Sequence, residues 1–143
     1  MGKTNWTRVF LGGLLAGVVL NILVFATIAI YLREIWKPAV EALNPAFEET
    51  IGFWIFWIVF YFVLGILAVW LYSAIRPRYG AGAKTAVIAG LACWVLWGLS
   101  YVAISASFGL FPASLLVTDA LTTLVMTVVA TLVGAWVYKE QSQ

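Results

Sequence analysis

Two polar side chains lie inside long apolar stretches of the sequence, where a polar group is costly to bury. Asp119 lies in the last of these stretches, and Asn21 lies near the middle of the first. An acid in a membrane-spanning segment is a functional hypothesis by default, which makes Asp119 a candidate for coupling to a proton or a cation. The alternative is an acid at the membrane edge that pairs with Arg33 or Lys37 or bonds to Thr123.

The amide of Asn21 needs a hydrogen-bond partner, because an unpaired polar group is destabilising in an apolar environment. The hydroxyl of Tyr101, in the third span, is one group that could reach it. Gly13 and Gly17 precede Asn21 at four-residue spacing, so the three lie on one face of a helix. Glycines let two helix backbones approach closely, and an amide can then bond across the contact. The pattern favours helix packing, within one chain or in a dimer, over a substrate path.

Seven of the ten residues at positions 53–62 are aromatic. Tryptophan and tyrosine are common at the membrane–water interface, but this run continues too deep for an interfacial belt alone. One interpretation is a contact surface for a quinone, a pigment, a lipid or a partner's helix. The other is bulk that faces lipid and anchors the helix. The side chains proposed for the contact surface are Trp54, Trp57, Phe60 and Tyr61.

Composition excludes several kinds of chemistry. The 143 residues contain no histidine and one cysteine, Cys93. Histidine-dependent haem, zinc and proton-relay sites are therefore excluded, as are an internal disulfide and a Cys-x-x-Cys site. The sequence has no recognisable nucleophile–base pair, metal cluster or phosphate loop, so we expect neither enzymatic activity nor a cofactor.

Charged residues divide the chain into four apolar stretches. Charged side chains make up 10% of the residues, against about 25% in a soluble domain. A helix needs about 20 apolar residues to cross a bilayer, and helices satisfy the backbone in lipid. We predict spans near 9–32, 51–75, 85–106 and 113–138, with a break at Gly109 and Pro112. The predicted fold is an all-α, single-domain membrane protein with four transmembrane helices in an up-down bundle.

Basic residues predict the orientation of this bundle. They concentrate before the first span, between the second and third, and after the fourth, which places both termini in the cytoplasm. Because these cations mark a membrane edge, the net charge of +2 gives no indication of nucleic-acid binding. The basic residues on the predicted inner side are Lys3, Arg8, Arg76, Arg78, Lys84 and Lys139.

The longest predicted loop, 33–50, lies on the outer side and is divided by Pro38 and Pro45. Residues 39–43 form either a short surface helix or part of a plain solvated loop. Trp36 and Phe47 are expected to enter the headgroup region, as interfacial aromatics do.

Short similarities suggest that the chain consists of two related hairpins. Leu15-Ala16-Gly17 aligns with Ile88-Ala89-Gly90, and Thr27 then falls opposite Ser100. The stretch 67–72 aligns with 133–138, where Gly134 lies. The halves would be related by an axis along the membrane normal. The alternative is that small residues inside and aromatic residues at the interface are general features of membrane helices. On either interpretation Gly90 and Gly134 are candidates for helix packing.

Three segments resemble a group of small bacterial four-span membrane proteins of unknown function. They are WLYSAIRPRYG at 70–80 with KTA at 84–86, LGGLLAG at 11–17, and LVGAWVYKE at 132–140. The group often has proline where this chain has Ala81 and Ala83. The resemblance implies a multi-pass protein of the bacterial inner membrane and implies no activity.

The leading functional hypothesis is an integral membrane protein without enzymatic activity. It would form a homo-oligomer or serve as an accessory subunit of a larger membrane complex, with the lipid bilayer as its surroundings. The alternative is a small dimeric transporter or channel for an ion or small molecule that uses Asp119 or Asn21.

Overall fold

The computed structural model describes residues 4–139 and is 86% helical, with no strand among those residues. Two wide π-helical turns, Ile28–Leu32 and Val95–Leu99, each join one helix to the next without a break. The helices are α1 (Trp6–Thr27), α2 (Arg33–Leu43), α3 (Ile51–Tyr79), α4 (Ala83–Trp94), α5 (Ser100–Ser107) and α6 (Ala113–Val137).

Four continuous helical segments are long and apolar enough to cross a membrane. They are Trp6–Leu43, Ile51–Tyr79, Ala83–Ser107 and Ala113–Val137. The break before the last segment contains Gly109, which has a positive φ of 62° that suits glycine. These segments are the candidate membrane-spanning helices of an all-helical chain.

The first segment is much longer than a bilayer requires. Its 38 residues rise about 57 Å at about 1.5 Å per residue, almost twice the ~30 Å hydrocarbon core. Helix α2 contains no buried residue and includes Pro38. Residues 33–38, predicted as loop, are therefore helical, and residues 39–43 adopt the helix that was one of their two expectations. Helix α2 projects beyond the length needed for a span.

The helices form a closed ring. Helix α1 packs most extensively against α3 and also contacts α6, while α4 contacts both α6 and α3. A further contact between α3 and α6 crosses the centre. The core contains the rings of three tyrosines, Tyr61, Tyr72 and Tyr138, among smaller side chains such as Val9, Ala16, Leu20, Val69, Ala89 and Ala130.

Glycines set the distance between neighbouring helices. A Cβ placed on Gly65 would lie 2.5 Å from the backbone nitrogen of Gly17 and 2.6 Å from the carbonyl oxygen of Gly13. A Cβ on Gly12 would lie 2.5 Å from the carbonyl oxygen of Gly134. Helix backbones therefore touch directly along α1, and any larger side chain would force them apart.

Gly90 occupies the corresponding place between α4 and α6. Its Cβ would lie 3.0 Å from the Cα of Val128, whereas that of Gly17 would lie 2.8 Å from the Cα of Phe62. In the sequence alignment of the two halves Gly17 matches Gly90, and Phe62 matches Val128. Each hairpin is thus joined at an equivalent contact.

Two tyrosines show the same correspondence at the other end of the bundle. The backbone N–H of Asn5, the N-cap of α1, donates to the hydroxyl of Tyr138 at 3.3 Å. The N–H of Gly82, the N-cap of α4, donates to the hydroxyl of Tyr72, also at 3.3 Å. The two tyrosine rings meet edge to face at 5.9 Å. The N-termini of α1 and α4 therefore each donate a hydrogen bond to a tyrosine of the other hairpin, and these two tyrosines align with each other.

Candidate functional site

Asn21 bonds across the contact between α1 and α3. Its Nδ2 donates to the carbonyl of Gly17 at 2.9 Å and to that of Ile58 at 3.4 Å. The partner in the neighbouring helix is therefore a main-chain carbonyl of α3, and not the hydroxyl of Tyr101. Close approach at Gly17 brings that carbonyl within reach. Within residues 4–139, Oδ1 of Asn21 is buried and accepts no hydrogen bond.

All four glycines proposed for helix packing are buried between helices of one chain. Gly13 faces Ile66, Gly17 faces Phe62, Gly90 faces Val128, and Gly134 faces Val69 and Gly12. The helix faces that carry these small residues thus pack against other helices of the same protomer. Gly65, which the sequence interpretation missed, belongs to the same set, and its only sequence signal is its residue type.

Asp119 is half-buried on α6, and within residues 4–139 its side chain forms no ion pair. Of the two cations expected beside it, Lys37 instead faces Glu41 at 3.8 Å. Thr123 contacts Asp119 through the main chain, because its hydroxyl donates to the Asp119 carbonyl at 2.6 Å. The bond from Thr123 therefore does not involve the carboxylate of Asp119.

Two tyrosines are the neighbours of this carboxylate. Tyr61 on α3 and Tyr101 on α5 both lie close enough to Asp119 for an electrostatic interaction. Tyr101 also lies near the side chain of Ser105, which is 1% exposed. We call Tyr61, Tyr101, Ser105 and Asp119 the tyrosine–aspartate cluster. A carboxyl and two phenols from three helices provide groups that can bind a cation or exchange protons.

The aromatic run of α3 points mainly into the protein. Trp57 lies over Tyr61, with ring centres 5.8 Å apart, and Phe60 contacts Trp97 at 5.7 Å. Tyr61 is buried, and Trp54, Trp57 and Phe60 are half-buried. The rings of Phe60 and Tyr61 on α3 contact Trp97, beyond the glycine contacts along the same helix. Of the four side chains proposed for the contact surface, Tyr61 is thus internal, and Trp54, Trp57 and Phe60 are partly exposed.

The outward face of α3 is mostly aliphatic instead. Ile55, Val59 and Val63 are exposed there, together with Phe56. Trp97, which the sequence interpretation did not single out, is the inner partner of the cluster, and its indole N–H is buried without an acceptor within residues 4–139.

Aromatic contacts continue from this internal cluster to the projecting helix. Phe53 contacts Trp57 at 6.3 Å and Phe47 at 5.4 Å, and Phe47 meets Trp36 of α2 edge to face at 6.2 Å. Phe47 therefore connects α2 to the N-terminal end of α3.

A cavity of about 260 Å³ lies between α2 and the segment 44–50. We call it the outer cavity. Its charged and aromatic walls contain two cations, two carboxylates and two rings, which are Arg33, Lys37, Glu41, Glu49, Trp36 and Phe47. The sequence interpretation named Trp36 and Phe47 as interfacial residues but had no signal that these six side chains share a cavity.

No group of three or more histidine, cysteine, aspartate or glutamate residues that would hold a metal ion occurs in the part of the chain that the structure describes. Cys93 is a buried free thiol. Comparisons with protein-family models, curated proteins and solved structures found no match to this chain.

Proposed function

We propose that this chain is a non-catalytic integral membrane protein and serves as an accessory subunit of a larger membrane assembly. The observation that carries this proposal is the use of the small-residue faces inside the protomer. Backbones that touch at Gly65 and Gly17, and at Gly12 and Gly134, leave no space between those helices for a permeating molecule. The tightly packed protomer therefore favours a structural role over transport through its own interior.

The projecting α2 is the natural element for contact with another protein. It lies beyond the length of a span and contains no buried residue. Leu43, at its end, is 51% exposed although it is apolar. An exposed apolar residue on an amphipathic helix at the membrane surface offers a small anchoring contact, with charged groups around it.

The orientation in this proposal places both termini in the cytoplasm and α2 on the opposite side, in an up-down bundle. It rests on the excess of lysine and arginine at one end of the spans. Lys3 contributes to that excess but lies outside the described residues. The bacterial inner membrane is proposed from the resemblance to small four-span proteins.

Native mass spectrometry tests the accessory role. The protein would be extracted in mild detergent from its own membranes, and we expect a complex with a different polypeptide at fixed stoichiometry. Leu43→Ala should weaken that complex. Leu96→Ala is the matched control, because Leu96 is 73% exposed on a membrane span away from α2. A wild-type chain that is found alone or only as a homodimer would refute the proposal.

The tyrosine–aspartate cluster favours a second candidate, a dimeric transporter or channel. Asp119 is half-buried in a span without an ion pair among residues 4–139, as a coupling carboxylate would be. Because the glycine contacts close the protomer, the path would lie between two copies. In proteoliposomes, Asp119→Asn should abolish proton or cation flux, whereas Glu34→Gln, on exposed α2, should not. Unchanged flux in Asp119→Asn would exclude coupling through this carboxylate.

A further inference from the structure

We infer that the outer cavity binds the headgroup of a phospholipid that carries both a phosphate and a primary ammonium group. The inference goes beyond the proposed function and does not depend on it, since lipid binding can be measured on the isolated protein. It rests on the charges of the cavity, its aromatic wall, and its size and position.

The charges of the cavity are only partly paired. Lys37 and Glu41, one helical turn apart, face each other at 3.8 Å. Within residues 4–139, neither Arg33 nor Glu49 forms an ion pair or a side-chain hydrogen bond. The cavity therefore presents one available guanidinium and one available carboxylate. A ligand that matches both carries an anion and a cation.

The two available groups suit a phosphate and an ammonium. A guanidinium is a planar fork of donors that binds phosphate oxygens in pairs. A carboxylate only accepts hydrogen bonds, and a primary ammonium offers it three donors. A headgroup that is purely anionic would meet the carboxylates of Glu41 and Glu49 as like charges. Charge complementarity thus favours a zwitterionic headgroup over an anionic one.

The aromatic wall adds to the preference for a cation. Trp36 and Phe47 line the cavity and meet edge to face, with ring centres 6.2 Å apart. The face of an aromatic ring attracts an ammonium group, most strongly at tryptophan. The ammonium of the ligand is therefore expected beside these rings and Glu49.

Size and position point to lipid as the source. A volume of about 260 Å³ holds far more than one water, which needs about 10–15 Å³ of such space. Arg33 directly follows the apolar stretch that ends at Leu32, so its side chain lies at the membrane edge, where lipid phosphates are concentrated.

Lipid binding is measured by native mass spectrometry of the purified protein with short-chain phosphatidylethanolamine or phosphatidylglycerol. We expect phosphatidylethanolamine to bind about fivefold more tightly, the ratio for a partly exposed ion pair of up to ~1 kcal/mol. Glu49→Gln should abolish this preference and leave phosphatidylglycerol binding no weaker. Arg33→Gln should weaken the binding of both lipids.

Matched controls separate the cavity from the general surface. Glu34→Gln removes an acid of α2 that does not line the cavity, and Arg78→Gln removes a cation at the other end of α3. Both should keep the wild-type preference. Equal binding of the two lipids by the wild type, or an unchanged preference in Glu49→Gln, would overturn the inference. Full competition by free phosphoethanolamine at equal concentration would overturn the assignment to lipid.

Discussion

Replacing Gly65 with alanine should destabilise the bundle, because this glycine lies against the backbone of α1. The added Cβ would lie 2.5 Å from the nitrogen of Gly17 and 2.6 Å from the oxygen of Gly13. Both atoms belong to the main chain of α1, so no side chain can rotate away to relieve the contact. Helix α1 must then move by about 1 Å to restore van der Waals distances.

The magnitude follows from two opposing effects. Overpacking a well-packed core costs about 1–3 kcal/mol. Alanine in a helix is more favourable than glycine by about 0.5–1 kcal/mol. The displacement also lengthens the bond from Asn21 to the Ile58 carbonyl, which is already 3.4 Å. We expect Gly65→Ala to lower the free energy of unfolding by about 1–2 kcal/mol.

Unfolding by sodium dodecyl sulfate in mixed micelles, followed by tryptophan fluorescence, measures this change. Gly52→Ala is the matched control on the same helix, because its Cβ would meet only the Thr50 hydroxyl, at 3.7 Å. That variant should be as stable as the wild type or slightly more stable. If Gly65→Ala unfolds at the same detergent fraction as Gly52→Ala, the backbone contact does not set the packing of α1 on α3.

Three further predictions address other parts of the molecule. Trp94→Phe removes the 3.2 Å hydrogen bond from the indole to Thr123 of α6 and should lower the free energy of unfolding by about 0.5–1 kcal/mol in the same assay. Trp136→Phe, at an 83% exposed position, should leave that free energy unchanged. Equal losses in the two variants would contradict a stabilising role for the Trp94 bond. Phe47→Ala should release α2 from α3 and speed amide exchange across 33–43 in hydrogen–deuterium exchange, and unchanged exchange would show that Phe47 does not fasten it. In a cysteine-free background, an impermeant maleimide should label Ala46→Cys in intact cells and Ala81→Cys only after permeabilisation, and the reverse pattern would invert the proposed orientation.

The membrane-spanning helices were predictable because a bilayer imposes a simple rule on sequence. A helix across lipid needs a long stretch without charge, and the chain must turn where glycine and proline interrupt the apolar residues. The structure has α5 end at Ser107 and α6 begin at Ala113, on either side of Gly109. No such rule applies outside the membrane, so the helical continuation through Pro38 was open.

The direction of side chains was much harder to predict than the spans. Apolar residues surround a membrane helix on all sides, so periodicity does not separate its lipid-facing side from its buried side. The inward packing of Tyr61 involves Trp97, a residue distant in sequence. The bond from Asn21 to Ile58 likewise depends on how close α1 and α3 approach. Contacts of this kind depend on tertiary packing, which cannot be deduced from the residue pattern of a single sequence.

The equivalent contacts of the two hairpins support the hypothesis that the chain arose by duplication. Asn21 aligns with Trp94, and each bonds to the second helix of its own hairpin, four residues after a packed glycine. The packed glycines and the two tyrosines thus recur in both hairpins, although the groups that donate to the tyrosines, at Asn5 and Gly82, are not aligned with each other. General preferences of membrane helices for small and aromatic residues do not require such matching partners.

On this interpretation, the places where the two halves differ are the best candidates for function. In the alignment Asp119 corresponds to Phe53, and Tyr101 corresponds to Ile28, so these two members of the tyrosine–aspartate cluster stand opposite apolar residues, whereas Tyr61 corresponds to Thr127. Helix α2 also has no counterpart in the second hairpin, which turns within 108–112. The shared contacts hold the bundle together and need to be present twice. A binding group is needed once, and Asp119, Tyr101 and helix α2 are each supplied by only one hairpin.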